Sequence, residues 1–93
     1  MHKIITAALS TTVLGVFTAS AIAGPSCTSE PKSSWMSEAN MKEHVAKLGY
    51  KDIRTFKTSG NCYEIYGRNA DGKKAEVYFN PVTGDVVKAN IEG

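Results

Sequence analysis

Few side chains in this sequence could do chemistry. Cys27 and Cys62 are its only cysteines, and His44 is the only histidine after His2. Zinc takes three or four ligands, and one histidine with two distant cysteines does not supply them. Neither a Cys-x-x-Cys pair nor a covalent haem motif is present. The serines sit in Ser- and turn-rich stretches without an acid–histidine relay, which argues against a hydrolase triad. Asp71-Gly72 reads as a turn and lacks calcium-loop spacing. His44 falls near the polar side of a helix, where solvation is its simplest role. No catalytic residue, metal or cofactor is expected.

Two features remain. Alternation places Glu64 and Glu76 close together on one sheet face, but each has a partner there, Arg54 or Tyr66, so paired surface residues are favoured over an acid–base couple. On the same face Phe56, Tyr66 and Tyr78 stand among Arg54, Glu64 and Glu76. Aromatics mixed with charge are what protein-binding surfaces use. The competing reading is that the segment from Gly24 to Lys32 covers this face, drawn there by a Cys27–Cys62 bond. The two readings also combine, with part of the face covered and part left open.

The elements that position these residues follow from the pattern. Ser37 is a natural N-cap, Glu38 suits the first turn, and Met36 and Met41 have the spacing of a hydrophobic staple. Met41, Val45 and Leu48 form one apolar stripe, and Gly49 stops the helix, which is expected over 37–48. From Tyr50 the period changes to two. Strands are expected at about 51–57, 61–68, 73–79 and 85–90. Thr58-Ser59-Gly60 and Ala70-Asp71-Gly72 read as three-residue hairpin loops, pairing Lys57 with Asn61 and Asn69 with Lys73. Asn80-Pro81-Val82-Thr83-Gly84 reads as turn chemistry, with Asn80 or Thr83 capping backbone groups.

That register puts Ile53 opposite Ile65, Thr55 opposite Tyr63, Ile65 opposite Val77 and Tyr63 opposite Phe79 on an apolar face. Arg54 then opposes Glu64, Glu64 opposes Tyr78, Tyr66 opposes Glu76 and Phe56 opposes Cys62 on the other face. In the last hairpin a five-residue loop would set Val87 beside Val77. The fold class is α+β: one N-terminal helix packed on a four-stranded antiparallel β-meander.

Residues 1–23 differ in kind from the rest. A lysine at position 3, an uncharged run from Ile4 to Phe17 and Ala21-Ile22-Ala23 together read as a secretory signal peptide cleaved after Ala23. Residues 24–34 form an extended leader rich in Pro and Ser, and residues 35–93 the domain. The mature chain, about 70 residues, makes one domain with a marginal core. Eleven basic residues face nine acidic ones and are scattered among them, so neither nucleic acid nor, after cleavage, a membrane is called for. In an exported protein two cysteines suggest a disulfide, and closing the loop between them stabilises by roughly 3–4 kcal/mol in the chain-entropy model.

Several motifs resemble one family. Trp35-Met36-Ser37 leads into the helix and Leu48-Gly49-Tyr50 closes it. Cys62-Tyr63-Glu64-Ile65-Tyr66-Gly67, Asp71-Gly72-Lys73, Glu76-Val77-Tyr78-Phe79 and Asn80-Pro81-Val82-Thr83-Gly84 follow. Over roughly residues 27 to 90 the chain resembles the small secreted PepSY-domain proteins. The resemblance implies a bacterial envelope location, periplasmic or extracellular, and a non-catalytic binding role toward a protein partner, a peptidase among them. A structural or accessory role through assembly or self-association is the alternative.

The disulfide is directly testable. Alkylating the unreduced, denatured native protein should add no mass, and reduction should lower the melting temperature without changing the fold class. Two alkylated thiols before reduction contradict the pairing.

Overall fold

The computed structural model of the protein describes residues 24–93; the expected signal peptide, residues 1–23, lies outside them. A 3-10 turn at Lys32–Ser34 precedes helix α1 at Glu38–Lys47. Strands β1 (Lys51–Ser59), β2 (Cys62–Arg68), β3 (Lys74–Phe79) and β4 (Val86–Ile91) follow. All four pair antiparallel in the order β1-β2-β3-β4. The architecture is α+β, one helix with a four-stranded antiparallel sheet. The helix is not the N-terminal element of the described chain, because the extended leader and the 3-10 turn come before it.

The helix ends follow local chemistry. Ser37 Oγ accepts the Asn40 N–H at 3.1 Å, satisfying a donor that the helix itself leaves free. At the other end Tyr50 N–H reaches Val45 O at 3.3 Å and Gly49 N–H reaches Ala46 O at 3.0 Å. With Gly49 at φ +98°, this is a Schellman closure. Met41 and Val45 are buried on the sheet against Tyr63, Ile65, Ala75, Val77 and Phe79, flanked by half-buried Trp35, Met36, Tyr50 and Phe56. Leu48, expected in the buried stripe, is 47% exposed. It is the C-cap, where the chain already leaves the helix.

The β2–β3 register is as expected: Tyr63 opposes Phe79, Glu64 opposes Tyr78, Ile65 opposes Val77 and Tyr66 opposes Glu76. The β1–β2 register is not. Ser59 pairs with Cys62, so the loop is the two residues Gly60-Asn61. Gly60 has φ +59° and Asn61 keeps an ordinary φ, the pattern of a type II′ turn with glycine first. Thr58, read as a loop residue, is strand. The slip is an odd number of residues, so it reverses β1.

Phe56 now opposes Ile65 on the core face rather than Cys62. Thr55 opposes Tyr66 rather than Tyr63, and Lys57 takes the place opposite Glu64 that Arg54 was expected to fill. Ile53, expected opposite Ile65, is 39% exposed. It lies in an irregularity between Lys51 and Thr55, where Asp52 adopts φ +52°. The bulged backbone closes tightly on Gly67. A Cβ there would sit 2.9 Å from Lys51 O and 2.8 Å from Ile53 Cδ1, so only glycine fits without a shift.

The last hairpin also differs. Ala89, not Val87, opposes Val77, and a second irregularity lies between Tyr78 and Phe79. Both Val86 and Val87 are about two-fifths exposed. Asn80 organises the preceding loop: its Oδ1 accepts Val82 N–H at 2.9 Å and Thr83 N–H at 3.2 Å. Thr83 Oγ1 accepts Asp85 N–H.

The reversed β1 separates two substitutions. Phe56→Ala should cost roughly 2 kcal/mol, about half the usual loss at a fully buried phenylalanine. Ile53→Ala should cost under about 1 kcal/mol, as exposed sites do. Urea unfolding of both variants checks this, and the opposite order contradicts the register.

Candidate functional site

The outer sheet face, opposite α1, gathers the polar chemistry. β2 supplies Glu64 and Tyr66, β3 supplies Glu76 and Tyr78, and β4 supplies Asn90. Glu76 is the hub. Its Oε2 accepts the Tyr66 and Tyr78 hydroxyls, each at 2.8 Å, and its Oε1 accepts the Asn90 amide at 3.0 Å. One carboxylate therefore braces three strands.

Glu64 is almost completely buried, 2% exposed. Lys57 Nζ lies 3.8 Å from its carboxylate. Burial first, and then the hydrogen bond with Glu76, hold the Glu64 carboxyl above its ordinary range; Lys57 pulls the other way. Glu76 is driven down to about 2, by the Glu64 hydrogen bond first and then by its Asn90 and tyrosine donors. Two neighbouring carboxyls that share a proton behave this way. The same bonds push Tyr66 up to about 12 and Tyr78 higher still.

The leader closes one end of this face. Cys27 and Cys62 are bonded, with Cα atoms 5.2 Å apart, and Cys27 N–H donates to Asn61 Oδ1 at 2.7 Å. Tyr78 packs with the disulfide, is 9% exposed, and has Gly24 against its ring. The leader then turns to the inner face. Trp35 stacks edge-on to Tyr63, ring centroids 5.3 Å apart, Tyr63 OH donates to Met36 O, and Met36 N–H reaches Pro81 O.

Of the six residues expected on one binding face, Glu64, Tyr66, Glu76 and Tyr78 are together. Phe56 is on the other face, beside Tyr63. Arg54 sits exposed in the β1 bulge. Tyr66, 43% exposed, is the aromatic that stays open. Sequence reasoning missed Lys57, which the correct turn would have revealed, and Asn90, whose register depends on an irregularity. His44, expected to be solvated, is half-buried and hydrogen-bonds Gly84 O through Nε2 at 2.7 Å, fastening α1 to the β3–β4 loop.

Two clefts flank the bulge. One of about 610 Å³ opens on the outer face between Arg54, Tyr66, Arg68, Lys74 and Glu92. The other, about 430 Å³, lies between α1 and β1 beside Lys42, Val45, Ile53 and Phe56. Among the described residues no group of three or more His, Cys, Asp or Glu is placed to hold a metal ion. No helix among them is long and apolar enough to cross a membrane.

The carboxyl pair predicts opposite pH responses. Glu76 is lowered in the fold, so its stabilisation is complete above its ordinary 4.5 and is lost as pH falls toward about 2. Glu64 is raised, so its contribution is complete below 4.5 and is lost as pH rises through its folded value. Glu76→Gln should therefore flatten the acid limb of the stability profile, and Glu64→Gln the limb on the alkaline side of the carboxyl range. Denaturant titration across that range checks both; identical profiles for the two variants contradict the shared proton.

No curated protein matches the chain, and no solved structure matches it. The model of the peptidase propeptide and YPEB domain family matches residues 4–90, a span that includes the helix, all but the last residue of the sheet, and the disulfide. The chain belongs to the PepSY family.

Proposed function

We propose that the protein is an exported, non-catalytic PepSY module that binds a protein partner, a peptidase, and restrains or modulates it in the periplasm or outside a bacterial cell. The observation that carries this reading is the match to a peptidase-propeptide family over residues 4–90. The site geometry supports it. Of the acids that approach each other, Glu64 is buried and Glu76 braces the sheet by holding three donors. Tyr66 and Arg54 remain accessible on the outer side for contact with a partner, while Tyr78 is spent on the leader.

A second reading, an accessory envelope protein that works by self-association, is favoured by one feature. β4 is an edge strand exposed along its whole length, with Val86, Val87 and Ile91 each about two-fifths exposed. A sedimentation series separates the readings, because self-association makes the mass rise with concentration.

The peptidase reading is tested by capturing envelope proteins on the immobilised, oxidised protein and assaying casein hydrolysis by what is retained. Free protein added to the retained peptidase should suppress hydrolysis in a saturable, dose-dependent way. Hydrolysis unchanged at saturating protein, or no retained peptidase, overturns the restraint.

A further inference from the structure

The edge of β1 and the cleft beside it form one continuous surface. β1 pairs only with β2, and no other backbone hydrogen bond among the described residues reaches Lys51–Ser59. The two-residue turn fixes which groups are free. It closes on the hydrogen-bonded pair Ser59–Cys62, so Thr55, Lys57 and Ser59 direct their backbone groups to β2. Phe56 and Thr58 direct theirs outward, to the open edge. Their side chains point to the inner face, where the cleft of about 430 Å³ runs between α1 and β1. Its floor is apolar, from Val45, Ile53 and Phe56. Lys42 roofs it, with Nζ 5.3 Å from the centre of the Phe56 ring. Lys57 stands on the outer side of the same edge, and Arg54, in the bulge, lines both this cleft and the outer one.

We propose that this edge and cleft dock an extended peptide segment of the partner as a fifth strand, alternating apolar and acidic residues. The inference rests on the protein-binding reading above and names its surface and chemistry. Strand addition supplies main-chain hydrogen bonds and leaves alternate side chains to specify the ligand. Here the inward side chains meet Ile53 and Phe56, and the outward ones meet Arg54 and Lys57. Lys42, Lys51, Arg54 and Lys57 line the edge against Asp52 as the acid within β1. That excess favours an acidic segment. It also disfavours a second copy pairing β1 to β1, since like charges opposed across strands repel.

The test uses the oxidised protein and two fluorescent seven-residue peptides, one alternating glutamate with isoleucine and one alternating lysine with isoleucine. The glutamate peptide should bind at least about tenfold more tightly, and rising salt should weaken it. Thr58→Pro removes an outward N–H that no strand uses. It should abolish glutamate-peptide binding while the melting temperature holds. Lys42→Glu with Arg54→Glu should reverse the peptide preference. Equal binding of the two peptides, or glutamate-peptide binding that survives both sets of substitutions, overturns the proposal. If Thr58→Pro lowers the melting temperature, the charge-reversed variant decides alone. Release of a dimer by the peptide assigns the edge to a second copy and also overturns it. Peptidase capture that persists undiminished in both variants retires this surface while the peptidase reading stands. Edge binding of the glutamate peptide without any peptidase captured leaves the surface and retires the peptidase.

Discussion

Residues 60–62 are where the chain's separate parts are tied together. Gly60 reverses the backbone, Asn61 accepts the Cys27 amide, and Cys62 carries the disulfide. The turn fixes the register of β1, and register decides which side chains join the core. The same three residues fix the leader's path, so the disulfide and the hairpin constrain one another. Had the loop been three residues long, Phe56 would face the leader and Ile53 the helix. The core of so small a domain is marginal, and moving one large aromatic out of it is a substantial loss.

Most of the architecture was legible because its signals are local. The cap at Ser37, the closure at Gly49 and the alternation from Cys62 to Phe79 each depend on neighbouring residues, and each is found where the pattern puts it. What was not legible depended on choices between near-equal local options. A glycine after Thr-Ser serves a three-residue loop at its end or a two-residue turn at its start, and the chain's hydrophobicity does not decide, since Ile53 and Phe56 both satisfy an apolar face. The irregularities in β1 and β4 are invisible for the same reason: alternation continues on either side of them. Of the candidate face, the part borne by β2 and β3 was readable, and the part borne by β1 was reversed with its strand.

The outer face shows how a hydrogen-bond network changes the meaning of charged residues. Read as letters, Glu64 and Glu76 are paired residues of an exposed sheet face. In the fold, one is sealed from solvent and the other is held by Tyr66, Tyr78 and Asn90. Such a carboxylate stabilises cross-strand order, and its donors lose the freedom to serve elsewhere. The covered Tyr78 and the open Tyr66 differ only in where the leader passes.

Strand order in this sheet repeats chain order. Every pairing joins a strand to its sequence neighbour, so each hairpin closes over a short span with little loss of loop entropy. Topologies of this kind fold quickly because few contacts must wait for distant segments. The helix and the leader are the exceptions, since His44 meets Gly84 across 40 residues and Cys27 meets Cys62 across a separation of 35 residues. Sheet assembly and leader attachment are thus separable in time: the meander assembles at the speed of its turns, and the covering of Tyr78 waits on an oxidant.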